Sequence, residues 1–450
     1  MRVVPQPQLS PERPRVLVVC PGPWDQVALG ERFHARFTLN FHGQKLVEQP
    51  SLWEGIRFDV FRWVEHAVET WRGQELAGIL GTGDYPGCMF AALIGEQLGL
   101  PVPSPESVVR LSHKYYSRRI QQRHVPEATP DFEPFDPFAG PPRLKTLDYP
   151  LFIKPVKGTM SIRAQLVRDP GELRRAVHFS WRERVEKHLL LRPFQHLLHR
   201  YTEGQVPAHW FIAERPLEGV QVTVDGFVER GTPVIMGIVD SVMYPGTISF
   251  QRFDYPSRLP EPVQARMRDV AVRLMRGSGF NHACFNIEMF YDPQRDTVQV
   301  IEVNPRMSYQ FADLYERVDG MNTYEAQLAL AVGRPVPWRA KAGRDGAASS
   351  FVLRRFSDAR VLRVPSAEEI AELQAHFPGT IVQVLCAPGE RLSSHDQDVG
   401  SFRYGIINMG APTYAELLER YREVERRLNF EFASPDLGAA RATASTQRSA

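Results

Sequence analysis

The sequence predicts an α/β (α+β) protein built from several units, and three observations predict it. At 450 residues the chain has room for about three domains of roughly 150 residues each. Its first hundred residues twice set a short apolar run against a glycine turn, and the second turn leads into a helical pattern, which is open-sheet grammar. From Leu151 the pattern changes to strands joined by tight turns.

Composition narrows the function classes. Hydrophobic residues make up 43% and charged residues 24%, so the chain buries a core and is not wholly disordered. Lys plus Arg is 54 and Asp plus Glu is 52, a formal net charge of +2, which removes the electrostatic argument for a nucleic-acid binder. Cys20, Cys88, Cys284 and Cys386 lie far apart without a CxxC pair or a histidine cluster. They outline neither a zinc site nor a disulfide framework, and the expected compartment is the reducing cytoplasm. The Pro-rich stretch Met1 to Arg15 lacks the apolar segment of a secretory signal. No run of about 18 apolar residues occurs, so no membrane span is expected.

Element by element, Val16 to Cys20 reads as a buried strand stopped by Pro21-Gly22-Pro23, and Leu76 to Leu80 as a second, ending in Gly81-Thr82-Gly83-Asp84. Cys88 through Leu98 is a helix closed by Gly99 and Pro101. The turn at 81–84 is a weak signal for an anion site, and a tight strand-to-helix turn is the plainer reading. Residues 124 to 150 are Pro-dense and read as a connection with little regular structure. Strands follow at 151–155 and 161–167. A basic helix-compatible stretch, Glu172 to His199, is divided by Pro193. Strands at 220–228 and 234–242, a helix from Gln264 to Arg276, and strands at 285–290 and 298–303 joined by Asp292 to Asp296 complete this part. A linker, 339–348, leads to a last unit, Ser350 to Phe432, with strands and a final amphipathic helix from Tyr414 to Leu428. The tail is expected to be disordered.

Three segments carry chemistry. In a strand, residues two apart share a face, so Glu302 and Asn304 point one way while Ile301 and Val303 enter the opposite layer. Asn286 and Glu288 likewise share a face, with Ile287 and Met289 on the other. If these strands pair across 291–296, Glu288 meets Glu302. Two facing carboxylates repel unless a cation lies between them, and Mg²⁺ suits two carboxylates, an amide oxygen and phosphates. Two exposed glutamates on a solvated face are the plainer reading; Pro305 and Arg306 favour the first by leaving a donor fork at the strand end. Lys154-Pro155 and Lys157-Gly158-Thr159-Met160-Ser161 bring ammonium groups, hydroxyls and backbone N–H groups together as a polyphosphate needs, or form a hairpin turn. Lys114, ahead of a helix, reads alone as a solvated surface lysine. The strand ending in Glu214 turns through Pro216 and Gly219 and could offer backbone groups to a flat heteroaromatic edge, with Gln221 near sugar hydroxyls.

The order of these pieces, Lys114, Lys154-Pro155 and its loop, Glu214, then Glu288 and Glu302-x-Asn304, resembles the ATP-grasp superfamily. The resemblance is to its carboxylate–amine ligases, a group that includes L-amino acid ligases and D-alanine–D-alanine ligases; biotin carboxylases are more distant. It covers about Leu80 to Val336, and Gly99 to Glu106 looks like the usual entry to the ATP-binding part. It implies an ATP-grasp fold with an N-terminal open-sheet domain at 14–105, a catalytic domain at 106–340, a small closing α+β domain at 350–432 and a tail at 433–450. By the same resemblance, Lys114 and Lys154 hold the α- and β-phosphates of ATP, and Lys157, Gly158, Thr159 and Ser161 belong to the mobile phosphate loop. Glu214 lies near the adenine amino group, Leu217 lends its backbone, and Gln221 stands at the ribose position. Glu288, Glu302 and Asn304 match ligands of two Mg²⁺ (or Mn²⁺) ions, while Arg306 acts on the substrate carboxylate or acyl phosphate and, with the phosphate-holding Lys154, counts as catalytic. Gln221 replaces a carboxylate, the loop has one glycine where several are usual, Arg163 stands where some relatives have Gly, and the insert at 181–207 is long.

The implied activity is a cytoplasmic ATP-dependent ligase that makes an acyl phosphate from a small-molecule carboxylate and couples it to an amine, with ADP and phosphate released. A homodimer is compatible with it; nucleic acid and membrane are not partners. Two other readings stay open: a carboxylase using bicarbonate, and an ATP-binding regulatory protein without turnover.

Overall fold

The computed structural model describes residues 13–44, 58–140, 144–158, 163–394 and 400–433. Near the N-terminus, β1 (Arg15–Val19), α1 (Pro23–Phe33), β2 (Thr38–His42), α2 (Val60–Trp71), β3 (Leu76–Leu80) and α3 (Gly87–Leu98) form a parallel sheet in the order β2-β1-β3. The run Val16 to Val19 is wholly buried, as a central parallel strand requires. Helix α2 starts because the Asp59 carboxylate accepts from the N–H groups of Phe61 and Arg62, and α3 stops at Gly99 in the left-handed region.

Two helices, α4 (Pro105–Ser112) and α5 (Lys114–His124), lead to a small antiparallel sheet of β4 (Phe132–Phe135), β5 (Leu151–Pro155), β6 (Gln165–Val167) and β7 (Phe211–Glu214), ordered β4-β7-β5-β6. Strand β4 falls within 124–150, the connection expected to hold little regular structure. Its Pro134 is tolerated because β4 is an edge strand, needing hydrogen bonds on one side only. Between β6 and β7 lie α6 (Pro170–Ala176) and α7 (Trp181–Tyr201). The helical stretch therefore divides before Ser180 and not at Pro193. Ser180 starts α7 in a reciprocal capping box with Glu183. Pro193 interrupts one backbone hydrogen bond, but Pro193, Phe194, Leu197 and Leu198 are buried together, and tertiary packing holds the helix through it.

The main sheet has eight strands in the order β12-β11-β8-β9-β10-β13-β16-β15. They are β8 (Val220–Glu229), β9 (Thr232–Met243), β10 (Phe250–Tyr255), β11 (Ala283–Asp292), β12 (Thr297–Asn304), β13 (Ala347–Arg355), β15 (Ile381–Val384) and β16 (Phe402–Ala411); β14 (Val361–Arg363) pairs separately with β17 (Glu431–Phe432). Strand β10, which the sequence pattern did not suggest, pairs with both β9 and β13 and carries the sheet on into the C-terminal strands. The expected linker is shorter than 339–348, since β13 begins at Ala347. Helix α8 (Glu261–Ser278) runs two residues beyond Arg276 to the left-handed Gly279. The segment 434–450 lies outside the described residues.

One face of β8, β11 and β12 is apolar: Val222, Val224, Ile287, Met289, Val300 and Val303 pack with Met267 and Leu274 of α8. The opposite face is closed at its far end by α9 (Ala312–Asp319) and α10 (Thr323–Ala331), where Phe227 and Cys284 join Tyr315 and Leu328. Its near end carries the polar residues. Helices α11 (Ala367–His376) and α12 (Tyr414–Arg427) lie near the C-terminus, and α12 packs Leu417 and Val424 with Phe351 and Ile407. Among the described residues, no helix is long and apolar enough to cross a membrane.

Candidate active site

Two rows of side chains cross the polar face. Glu302 lies opposite Glu288, which lies opposite Thr223; Asn304 lies opposite Asn286, which lies opposite Asp225. A bulge makes this register: Glu288 pairs with Glu302 but Met289 pairs with Val300, so Ile301 is the extra residue. The expectation that Ile301 joins Val303 in the core is therefore corrected, because Val300 packs there. On the edge strand β12 the bulge also turns the Ile301 carbonyl outward, where it accepts from Lys154 Nζ at 3.3 Å and Arg118 Nη2 at 2.7 Å.

The facing carboxylates divide the available charge unequally. Lys114 Nζ lies 3.2 Å from Glu302 Oε2. Burial alone would raise the Glu302 carboxyl, but Lys114 and Lys154 outweigh it and hold Glu302 below the usual carboxylate range. Burial and the Glu302 charge push Glu288 up to about 7. Gln221 Nε2 donates to Glu288 Oε2 at 3.0 Å, a diagonal contact on the shared face. The residue expected at ribose thus has its amide turned onto a carboxylate.

Lys114 is the first residue of α5, so it is no solvated surface lysine: its N–H donates to Val156 O at 2.9 Å and its Nζ to Gly158 O at 3.1 Å. Lys154, at the end of β5, places Nζ 2.8 Å from Glu214 Oε2. Arg118 donates from Nε to Glu214 Oε1 at 2.7 Å and from Nη1 to Val300 O at 2.9 Å, and also bonds Gln121. Burial favours the neutral acid at Glu214, yet Arg118 and Lys154 overcome it and keep the group near 2. Expected at an adenine edge, the Glu214 carboxylate has both oxygens on these cations and is 2% exposed. Leu217 stands half-buried between β7 and β8.

The remaining expected residues divide. Gly158 joins the cluster through its carbonyl. Lys157 stands beside it: its ammonium lies over the rings of Phe194, at 4.6 Å, and Tyr85, at 5.4 Å, within electrostatic reach of Asp84, Lys114 and Glu302. Thr159 and Ser161 lie outside the described residues. Arg306 reaches the first unit, where Nε and Nη2 bond the two carboxylate oxygens of Asp84 at 3.0 and 3.2 Å. Asp84 and Arg118 were missed in the sequence. Arg118 lies one helical turn past Lys114, a spacing that places both on one face, and Asp84 ends the glycine turn after β3.

A divalent cation fits the donor set. Glu288 and Glu302 supply four oxygens, and Asn304 donates its Nδ2 to Asn286 Oδ1 at 3.1 Å, which leaves its own carbonyl oxygen free.

An ATP-grasp domain family model matches residues 147–314. A carbamoyl phosphate synthase large chain, C-terminal section, from Methanopyrus kandleri is 24% identical over 237 residues, 52% of this chain and 39% of that one. Carnosine synthase 1 from Gallus gallus is 35% identical over 81 residues, 18% of this chain and 8% of that protein. The chain thus matches well under half the length of either relative. Among solved structures, an L-amino acid ligase from Bacillus licheniformis superposes with a TM-score of 0.70 at 17% identity, covering 94% of this chain and 99% of the other.

Proposed function

Residues 147–314 match an ATP-grasp domain, and from that premise we propose that the protein is an ATP-dependent carboxylate–amine ligase. The observation that carries the reading is the register of Glu288 on Glu302 with Lys114 at 3.2 Å: paired acids and a lysine gathered where a triphosphate would need them. A carboxylate oxygen attacks the γ-phosphorus of ATP, the bond to the β–γ bridging oxygen breaks, and ADP leaves. The amine nitrogen then attacks the acyl carbon; the C–N bond forms, phosphate departs with the former carboxylate oxygen, and the nitrogen loses a proton.

Such chemistry asks mainly for positioning and charge neutralisation. Lys154, fixed by Glu214 and the Ile301 carbonyl, has one N–H left for a phosphate oxygen, and Lys114, fixed by Glu302 and Gly158, has another. Mg²⁺ or Mn²⁺ held by Glu288, Glu302 and Asn304 would neutralise the terminal phosphates. Arg306, clamped by Asp84 through Nε and Nη2, keeps Nη1, which makes only a 3.4 Å bond to Met307 O, to meet the acyl group. The location is proposed to be the cytoplasm, and the substrates small molecules.

A likeness in fold to a biotin carboxylase domain solved with bicarbonate supports one second reading, a carboxylase acting on bicarbonate. Release of ADP, measured across a panel of amino acids and other carboxylates, with and without amines and bicarbonate, separates the two. The ligase requires ADP only when carboxylate and amine are both present. ADP with bicarbonate alone would transfer the assignment to the carboxylase, and ADP under no condition would end the enzymatic reading. Glu288→Gln and Glu302→Gln should each abolish turnover with the fold retained.

A further inference from the structure

The row beside the facing glutamates holds a carboxylate that the reaction does not use. Asp225 is 3% exposed; Arg306 acts on it through space, but among the described residues no lysine or arginine lies within ion-pair distance of it. An ionised carboxylate buried with only neutral groups in contact is costly, and an apolar side chain would fill the same place in the sheet. Its two partners are Asn286 Nδ2, donating to Oδ1 at 2.8 Å, and Tyr315 Oη, donating to Oδ2 at 2.8 Å.

These bonds have a direction that passes along the row. A carboxylate accepts and does not donate, so Asp225 takes the NH₂ end of Asn286. The carbonyl end of Asn286 is left facing β12, where it can only take the NH₂ end of Asn304, at 3.1 Å. The Asn304 carbonyl is then the end that remains. A primary amide has two orientations related by a half-turn, one presenting an acceptor and the other a donor that repels a cation. We propose that Asp225, acting through Asn286, is a positioning residue that fixes the metal-facing end of Asn304 as its oxygen. The inference rests on the reading of Glu288, Glu302 and Asn304 as cation ligands.

The far end of the row is anchored. Tyr315 of α9 is fully buried and packs on Tyr255 at a ring separation of 4.6 Å, and Tyr255 in turn donates to Asp319. Opposite Asp225 on β9 is Gly237, where a Cβ would come within 2.5 Å of the Tyr255 ring. The sheet thus omits a side chain to admit the tyrosine pair that holds the carboxylate.

Binding of Mn²⁺ to the full-length protein, read by electron paramagnetic resonance without turnover, tests the inference. Glu302→Gln and Asn304→Ala should lose Mn²⁺, and if they bind it like the wild type the cation site itself is misassigned. Asp225→Asn, which can present either end to Asn286, should weaken Mn²⁺ about tenfold, as loss of an outer partner of a ligand does. Tyr315→Phe, which removes a single bond, should weaken it less and serves if Asp225→Asn does not fold. An aspartate at 304 has no wrong end, so in the Asn304→Asp background Asp225→Asn should bring no loss. Should Glu302→Gln abolish binding while Asp225→Asn and Tyr315→Phe leave it at the wild-type level, the inference fails and the cation site stands. A loss of equal size in the Asn304→Asp background would also overturn it, by reducing Asp225 to a structural role.

Discussion

At the scale of single residues, the site is a problem in placing like charges. Glu288 is raised above the ordinary carboxylate range by burial first and by Glu302 second. A group whose pKa is higher folded than unfolded stabilises the fold fully below its unfolded value, near 4.3, and that contribution is lost as the pH rises through about 7. Glutamine at 288 cannot ionise. Without nucleotide or divalent cation, the melting temperature of Glu288→Gln relative to wild type should therefore climb between pH 5 and pH 8; a flat difference would mean that Glu288 is not the group held protonated. Arg118 presents the converse case. It bonds Glu214, Gln121 and two β12 carbonyls from a fully buried position, so Arg118→Ala leaves Glu214 with Lys154 alone and takes the donor from Val300 O, and should destabilise by about 3–5 kcal/mol in urea unfolding. Arg118→Lys should recover little, because an ammonium cannot reproduce the planar fork.

At the scale of elements, much of the chain was legible because period and punctuation are local properties. The apolar run at 16–20, the helix closed by Gly99 and the hairpin across 292–296 are written in neighbouring residues, and so was the facing of Glu288 and Glu302. What escaped depends on partners distant in sequence. The bulge at Ile301 follows from pairing with β11, Pro193 survives inside α7 because of what its neighbours pack against, and β4 is a strand only because β7 lies beside it. Glu214 and Gln221 were found as positions, but their partners, Arg118 and Glu288, were not, since each lies on another element. The connection between β7 and β8 gives a test at this scale. Gly219 has φ +113°, and a Cβ there would lie 2.1 Å from Tyr291 O. Gly219→Ala meets strain and a backbone clash together, and should destabilise by more than about 1 kcal/mol. If Leu217 lends its backbone to the nucleotide, the same change should raise the KM for ATP and leave that for the amine alone; an unchanged KM for ATP would remove this connection from the site.

At the scale of the whole molecule, the site joins parts that the sequence keeps far apart. Arg306 follows β12 and Asp84 ends the turn after β3, and a two-point ion pair links them across 222 positions. Glycine makes the turn possible: a Cβ on Gly81 would lie 2.3 Å from Gly87 O. The clamp uses Nε and Nη2, and Nη1 makes only a 3.4 Å contact with Met307 O, so Asp84 sets the direction in which the free amine points. Asp84→Asn keeps the shape and removes the charge. If Asp84 acts through Arg306, the KM for the carboxylate substrate should rise about tenfold, roughly 1.4 kcal/mol, while the KM for ATP stays within twofold, because Lys114 and Lys154 are held by other partners. Combined with Arg306→Lys, whose ammonium cannot form the two-point contact, Asp84→Asn should add almost nothing, the non-additivity expected of residues that share one interaction. Full additivity in that cycle would show that the first unit supports the sheet without orienting the arginine, and that the turn after β3 belongs to folding alone.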